Sequence, residues 1–184
     1  NHQDEDGVQA YRKEILRLKD YLSEKFQCEI TEEKVREAVR INNRANAALM
    51  NFYGVMRHDP APVYGYDIFK VLYGSTFKFD RSALADEVDS LREQIEKDYA
   101  AGKQRPRIII TGCPIGGATE KVIQAVEENG GVVVGYENCS GQKSVGLQVD
   151  ESAEDIYEAI SRRYLAIGCS VMSPNPNRFR TLGE

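Results

Sequence analysis

The segment Thr111–Lys121 holds the residue types of this sequence that are best suited to chemistry. Within it, Gly112, Gly116 and Gly117 flank Cys113, and the segment lies between a β-branched run and a helical pattern. Ligands of open α/β sheets bind where strands end and helices begin, because free helix amides favour anions and glycine lets a ligand approach the backbone. The segment therefore indicates either a site for a phosphate, a CoA tail or a cluster sulfide, or a tight turn that requires glycine.

The spacing of these glycines excludes two common nucleotide sites. The segment lacks the Gly-x-Gly-x-x-Gly spacing of dinucleotide-binding turns, and it lacks the Gly-Lys-Ser/Thr of a P-loop. We therefore reject both NAD and a nucleoside triphosphate as ligands of this turn. The two histidines of the sequence are too few and too isolated for a catalytic triad or a zinc site.

Cysteines are the side chains of this sequence that could hold a metal. Cys113 and Cys139 each follow a predicted strand, and neighbouring parallel strands end at one edge of a sheet, so the two thiols either face a common site or are small buried side chains. Cys169 lies in a loop of the kind usually found at the surface, and we expect Cys28, between two helices, to pack. No CxxC pair is present, which excludes a zinc ribbon and a thioredoxin-type motif.

The polar loop Glu137–Lys143 follows the second predicted strand. Its side chains Asn138, Ser140 and Lys143 either bind an anion or close a turn, and the turn is the simpler interpretation.

Composition and charge narrow the class of protein. The 184 residues are 41% apolar and 29% charged, as in globular domains. A net charge of -5 argues against nonspecific nucleic-acid binding, which needs a concentrated positive surface. Apolar runs such as Ile108–Ile110 fall far short of the roughly 20 residues that span a bilayer, and no basic-then-apolar leader opens the sequence. We expect a cytoplasmic protein without structural disulfides.

Helices dominate the first hundred residues that must position these groups. Apolar residues recur at helical spacing among charges, Thr31 is suited to cap free helix amides, and Pro60 forces a break. We predict helices over Val8–Lys25, Thr31–Val55, Tyr66–Tyr73 and from Asp80 or Ser82 to about Ala101, with Gly102 as the cap of the last one.

The pattern changes at Arg105, where a βαβ unit begins. The β-branched run Ile108–Thr111 is typical of a parallel strand that is covered on both faces. A helix over Ala118–Glu128 and a second strand over Val132–Tyr136 complete the unit. Beyond it we predict a helix over Ala153–Leu165 and a closing loop over Ser173–Asn177.

These elements predict an α/β fold with a flavodoxin-like or Rossmann-like parallel sheet, preceded by a helical region. We draw the boundary between a helical region 1–104 and an α/β domain 105–184. Two strands are too few for a stable parallel sheet, so we expect that this domain is truncated and that a longer chain supplies further strands.

Three segments of the sequence resemble the D-component family of 2-hydroxyglutaryl-CoA dehydratase, which is related to benzoyl-CoA reductase. They are Thr111–Lys121, Glu137–Cys139 and Tyr164–Ser170 with the following Ser173–Asn175, and the match includes their order and spacing. Asn42–Arg44 and the helix around it resemble the linking helices of the family. The cysteine pattern is most similar to the branch that includes double-cubane cluster proteins.

The resemblance implies a longer protein with two flavodoxin-like domains and an iron–sulfur cluster, either 4Fe–4S or double cubane, in the cleft between them. An ATP-hydrolysing activator protein supplies an electron to such a cluster, and dehydratase members use it to form a ketyl radical from a 2-hydroxyacyl-CoA, which then loses water. Related members are low-potential reductases. The implied partners are the activator, a homologous subunit in a homo- or heterodimer, and an acyl-CoA or related small substrate, with no nucleic acid and no membrane.

The resemblance also implies the residues of the site. The metal ligands are Cys113, Cys139 and Cys169, and the cofactor-binding residues are Gly112, Gly116, Gly117 and Asn138. The family's amino-terminal domain and its carboxyl-terminal cysteine segment are absent from this sequence, so we expect the isolated fragment to be inactive, with or without a cluster of its own.

Three functions follow from this reading of the sequence. The first is a component of a lyase of the dehydratase type, or of a related reductase. The second is a flavodoxin-like module without catalysis that binds CoA, another anion or a partner subunit. The third is a structural scaffold in which the cysteines are dispensable.

Overall fold

The computed structural model of the protein describes residues 2–100, 102–112, 118–139, 141–169 and 171–183. The helices are α1 (Glu5–Phe26), α2 (Glu32–Tyr53), α3 (Gly65–Ser75), α4 (Leu84–Lys97), α5 (Ala118–Glu128), α6 (Gln142–Val145), α7 (Ile156–Leu165) and α8 (Pro176–Gly183). The strands are β1 (Arg107–Thr111) and β2 (Val132–Glu137), and one turn of 3-10 helix, Gly54–Arg57, follows α2. The prediction of an α/β fold in which helices precede a parallel sheet is confirmed.

The chain divides into two compact units. The first unit runs as far as Asn43 and resumes at Leu147, and the second unit spans Arg44–Gly146. Helices α1, α7 and α8 lie in the first unit, whereas α3 to α6 and both strands lie in the second. The boundary drawn from the sequence between residues 104 and 105 stays a prediction.

The first unit is organised around the packing of α1 against α7. The Asp155 carboxylate begins α7 by accepting hydrogen bonds from the backbone N–H groups of Tyr157 and Glu158, at 2.9 and 3.0 Å. Such a cap satisfies amides that have no partner inside the helix. The buried apolar side chains beneath these helices are Val39, Val149, Ile156, Tyr157 and Ala159.

A buried asparagine joins two distant segments of the first unit. The Asn43 side-chain amide donates to the Val149 carbonyl oxygen at 2.8 Å, and its oxygen accepts from the Val149 N–H at 3.0 Å. The same amide donates to the Glu151 carboxylate at 2.8 Å. Asn43 therefore satisfies both the N–H and the carbonyl oxygen of Val149. These groups need a partner inside the protein because Val149 is buried.

The second unit is built around the parallel pair of strands. Arg107 lies opposite Val132 and Thr111 lies opposite Glu137, with an irregularity of the pairing at Ile109. Helices α3 and α5 pack on β2, and α5 connects the two strands as the predicted βαβ unit requires. The fully buried apolar side chains of this core include Leu49, Phe52, Val55, Ile68, Ile123, Val133 and Tyr136.

The prediction that β1 is covered on both faces is wrong. Ile109 is 60% exposed and Ile108 is 37% exposed, whereas Ile110 is buried. The strand pairs on one side only within the described residues, and the helices of the sheet pack mainly on β2. An apolar run indicates a strand, but its burial depends on neighbours that the run itself does not specify.

Helix α2 begins as the sequence predicts, whereas both ends of α4 differ from the prediction. The Thr31 hydroxyl accepts from the Lys34 N–H at 3.2 Å, which confirms the predicted cap of α2. Helix α4 instead begins after the predicted start, because the Asp80 carboxylate accepts from the Ser82 N–H at 2.9 Å and forms a local turn. The helix also ends at Lys97, before Gly102.

Two short helices replace predicted loops. Helix α8 begins at Pro176 inside the stretch that the sequence predicts as a closing loop, because proline is well suited to the first position of a helix. Helix α6 occupies part of the polar loop after β2, where the Ser144 hydroxyl donates to the Gly141 carbonyl oxygen at 2.8 Å. Among the described residues, no helix combines the length and apolar character that a membrane span requires.

Candidate functional site

The carboxyl ends of β1 and β2 lie side by side in the second unit. Thr111 and Glu137 are paired across the sheet, and the next N–H of the first strand, that of Gly112, donates to the Glu137 carbonyl oxygen at 3.2 Å. Gly112 has a φ of 122°, a backbone conformation that favours glycine. The chain therefore leaves β1 by a turn that another residue type would strain.

The turn that follows β2 carries a free thiol at this edge. Cys139 is exposed and forms no disulfide, whereas the preceding Asn138 is only 1% exposed. The Gly141 N–H donates to the Asn138 carbonyl oxygen at 3.1 Å, and a Cβ at Gly141 would lie 2.3 Å from the Tyr136 carbonyl oxygen. We call residues 138–141 the Cys139 turn, of which Ser140 lies outside the described residues. Its tight backbone fixes where the thiol leaves the sheet.

A buried ion pair lies beside this turn. The Lys143 ammonium lies 2.7 Å from the Glu137 carboxylate, and the two side chains are 9% and 7% exposed. The Thr111 hydroxyl donates to the other oxygen of the same carboxylate. We call Thr111, Glu137 and Lys143 the Glu137 bridge. Because the Lys143 charge is already neutralised by Glu137, the structure favours the interpretation in which this residue closes the turn over the one in which it binds an anion.

The structure describes some of the predicted site residues and leaves others outside the described ranges. Gly112, Asn138 and Cys139 lie together at the carboxyl edge of the sheet, and their binding of a cofactor or metal stays a prediction. Cys113, Gly116 and Gly117 lie outside the described residues, and their roles stay predictions. For Cys139 the sequence allows either a metal ligand or a small buried side chain. The structure excludes the second alternative, because this thiol is exposed.

The two remaining cysteines lie in the first unit. Cys169 is half-buried between α7 and α8, and its carbonyl oxygen accepts from the Asn175 side-chain amide at 2.5 Å. The sequence prediction that Cys28 packs inside the protein is wrong, since this residue is exposed. It follows the left-handed Gln27 at the end of α1, where the chain turns outward instead of continuing along the helix.

Of the thiols that the structure describes, we ask which could serve as a ligand of the iron–sulfur cluster that the resemblance implies. Such clusters are held by cysteine thiolates, typically four. Within the ranges that the structure describes, no group of three or more His, Cys, Asp or Glu residues is arranged to hold a metal ion. Cys139 fits the role of one ligand, because its thiol is free, exposed and at the edge where ligands of parallel sheets bind.

Reasoning from the sequence missed the roles of Thr111 and Glu137. Both residues fall inside the segments that carry the predicted site, but the sequence pattern predicts no function for either side chain. A signal was available: a carboxylate ends one strand, a hydroxyl ends the other, and a lysine follows the carboxylate by six residues. The pairing becomes visible only when the register of the strands is known.

Each unit also has a cavity with basic side chains in its lining. The larger, about 930 Å³, lies in the first unit, where Arg12 contacts Asp155 at 2.6 Å and Arg162 contacts Glu158 at 2.7 Å. Arg12 and Arg162 are thus paired with carboxylates, whereas Arg163, also in the lining, donates to the Leu147 carbonyl oxygen at 2.9 Å. The smaller, about 190 Å³, lies in the second unit at the amino ends of the strands, and its lining includes Lys103.

The smaller cavity has a basic lining. Arg105 lies over the Tyr64 ring, 4.6 Å from its centroid, and donates to the Tyr64 hydroxyl at 2.8 Å. Arg107 donates to the backbone carbonyl oxygens of Met56 and His58, both at 2.8 Å. Neutral groups hold both guanidinium groups, and the lining keeps a net positive charge because Lys103, Arg105 and Arg107 outnumber its one carboxylate, Asp59.

Comparison with known proteins gives two matches. A family model described as 2-hydroxyglutaryl-CoA dehydratase, D-component, matches residues 1–184. A protein of Escherichia coli (strain K12), YjiM, which is named provisionally as a dehydratase subunit, is 47% identical over 177 residues. The aligned region covers 95% of this chain and 46% of the relative, so the chain spans about half the length of the curated relative it matches.

Proposed function

Because the chain belongs to the 2-hydroxyglutaryl-CoA dehydratase D-component family, we propose that it is part of an iron–sulfur component of an activase-dependent 2-hydroxyacyl-CoA dehydratase. The observation that carries this proposal is the family match along the whole chain. It is supported by the free thiol of Cys139 at the carboxyl edge of the sheet, within one of the segments that resemble the family. The activity is that of a lyase in the longer protein, and the half-length piece is inactive alone. A related ATP-driven reductase would use the same architecture.

In this proposal Cys139 supplies one thiolate ligand, and Cys113 and Cys169 supply others. When bound, a 4Fe–4S or double-cubane cluster supplies electrons of low potential. The residues around Cys139 serve to hold the thiol in one place: the Asn138 carbonyl oxygen accepts the Gly141 N–H at 3.1 Å, and Gly112 turns the other strand away at the same edge. The glycine backbone leaves room for a bulky group to approach.

The partners in this proposal follow from the family. They are an ATP-hydrolysing activator protein, a homologous subunit and an acyl-CoA substrate, in the cytoplasm. The names D-component, for the family, and dehydratase subunit, for the relative, support a protein that works as part of a larger assembly.

The experiment is anaerobic measurement of iron and acid-labile sulfide, with the visible spectrum, on the natural full-length chain. We expect iron–sulfur absorption in the unaltered protein and a large loss of iron in Cys113→Ser and Cys139→Ser. Cys28→Ser is the matched control, because Cys28 is an exposed free thiol at the end of α1, and it should keep full iron content. Absence of iron after reconstitution of the unaltered protein, or equal iron in all variants, would contradict the proposal.

A second candidate is a module without a cluster that binds CoA phosphates. The basic cavity lined by Lys103 and Arg105 favours it, because phosphate recognition relies on such cations. This candidate predicts that the full-length chain without iron binds CoA, and that Lys103→Met together with Arg105→Met abolishes the binding. In the first candidate the same pair of substitutions leaves the iron content unchanged.

A further inference from the structure

The Glu137 bridge is an ion pair largely removed from water, and it lies at the candidate site. Both charged side chains are more than nine-tenths buried, with 7% of Glu137 and 9% of Lys143 exposed. Removing two charges from water is unfavourable, and an apolar pair of similar size often stabilises a fold as well or better. The pair is therefore better explained by the geometry that it imposes than by its contribution to stability.

One carboxylate holds both turns of the edge. On one side it accepts from Thr111, the last residue of β1 before the glycine-rich turn. On the other side it pairs with Lys143 in α6, directly after the Cys139 turn. The Glu137 backbone adds a third tie, because its carbonyl oxygen accepts from Gly112. The Glu137 side chain thus ties the end of β1 to the start of α6, in addition to the backbone hydrogen bond between the strand ends.

The segment between Glu137 and Lys143 is folded tightly. The Gly141 N–H donates to the Asn138 carbonyl oxygen at 3.1 Å within it, and the Ser144 N–H donates to the Gly141 carbonyl oxygen at 3.2 Å directly after it. Cys139 lies between Glu137 and Lys143 in the chain. The ion pair between these two residues therefore limits where the Cys139 backbone can lie.

We propose that Glu137 is a positioning residue that fixes the Cys139 turn against the end of β1 and balances the charge of Lys143 beside the candidate ligand. The proposal rests on the proposed function for its redox consequence, but its structural part concerns this chain alone. A reduced cluster carries one more negative charge than an oxidised one, so an unbalanced cation nearby raises its reduction potential and an unbalanced anion lowers it.

The first experiment uses hydrogen exchange on the metal-free full-length chain. Thr111→Val removes only the tie to β1, so the Gly112 amide should exchange about tenfold faster while the Gly141 amide is unchanged. The double variant Glu137→Gln with Lys143→Met keeps an acceptor for Thr111 but removes the tie to α6, so it should accelerate Gly141 selectively. The Val132 amide, which donates to the Pro106 carbonyl oxygen at 2.9 Å at the other end of the sheet, is the internal reference.

The second experiment measures the reduction potential of the cluster in the full-length protein. Glu137→Gln should raise the potential, Lys143→Met should lower it, and the double variant should return it close to the original value. A purely structural role predicts shifts in one direction, following the loss of stability. Thr76→Val is the control, since its exposed hydroxyl donates to the Tyr73 carbonyl oxygen at 2.7 Å in α3.

The outcomes separate the two proposals. Unchanged exchange of both turn amides in these variants, or potentials that move together, would overturn the role of Glu137. A full-length chain that holds no iron would instead overturn the proposed function. The exchange measurement would still test the role of Glu137, because it uses the metal-free chain. If either single variant of the ion pair fails to fold, Thr111→Val and the charge-neutral double variant still decide the question.

Discussion

Gly65, the first residue of α3, lies against the backbone of Val133 in β2. A Cβ at Gly65 would lie 2.1 Å from the Val133 carbonyl oxygen, closer than any side-chain carbon approaches a backbone oxygen. The contact joins the start of a helix to the beginning of the strand that leads to the Cys139 turn. The position therefore requires glycine because of close approach, and not because of an unusual backbone angle.

We predict that Gly65→Ala destabilises the second unit by about 3 kcal/mol, because the added methyl group forces α3 away from β2. Gly74 near the other end of α3 is the matched control, since a Cβ there meets no atom within 4 Å. Gly74→Ala should leave stability unchanged or raise it by about 0.5–1 kcal/mol, through the better helix propensity of alanine. Chemical denaturation of both variants checks this, and equal effects would show that the contact is not tight.

A second prediction concerns the carboxylate that holds α3 to the sheet. Glu127 accepts from the Gly65 N–H at 2.6 Å and from the Val133 N–H at 3.2 Å. Glu127→Ala should cost about 2 kcal/mol in unfolding free energy, because it leaves partly buried amides without acceptors. Glu128→Ala is the control at the exposed neighbouring position and should change stability by less than about 0.5 kcal/mol. A loss of stability that is the same in both variants would contradict this role.

The sequence was sufficient for the βαβ unit, because its signals are local. β-branched runs, glycine turns and helical periodicity mark β1, α5 and β2, and the parallel pairing follows from the short helix between them. The edge that carries Cys139 was predicted for the same reason. Its exposure was not, since whether a small thiol is buried depends on the turn geometry that Gly141 imposes.

Features that depend on distant neighbours were not predictable in this way. The exposure of Ile109 depends on what lies beside β1, and the burial of Glu137 depends on Lys143 and Thr111. Composition is also an imperfect guide to short helices. Pro176 stands in a Pro/Asn-rich stretch typical of a loop, yet the same residue begins α8 because its fixed φ suits a first helical turn.

A third prediction tests the asparagine of the first unit. Asn43→Asp retains an acceptor for the Val149 N–H but loses the donor to the Val149 carbonyl oxygen, and it adds a charge at a site that is 3% exposed. We expect a loss of about 2 kcal/mol or more in unfolding free energy, larger than for Asn43→Ala. The half-buried neighbour on the same helix gives the control Asn42→Asp, which should change stability by less than half as much. Urea denaturation provides the comparison, and equal losses at the two positions would refute the assignment.

A fourth prediction concerns the pH dependence of the first unit. Partial burial by itself raises the pKa of Asp155, but the Arg12 guanidinium and the amides at the start of α7 outweigh it and hold this pKa below its usual value. A carboxyl group whose pKa is lowered by folding adds stability above its unfolded pKa, and this stability is lost as the pH falls through the folded pKa. The contribution should therefore be complete at neutral pH and disappear in acid.

Asp155→Asn tests this directly, because asparagine can still cap α7 but cannot pair with Arg12. At pH 7 we expect it to lower the unfolding free energy by about 1 kcal/mol or less, as for other partly exposed ion pairs. The difference from the unaltered protein should shrink below about pH 4 and vanish once Asp155 is protonated in the folded state.

Asp155→Ala removes the cap as well and should keep a deficit of about 1 kcal/mol in acid. Asp6→Asn removes one charge from the first turn of α1 and controls for net charge. Denaturation curves between pH 2 and 7 distinguish these cases, and a constant difference for Asp155→Asn across that range would show that the ion pair with Arg12 does not stabilise the fold.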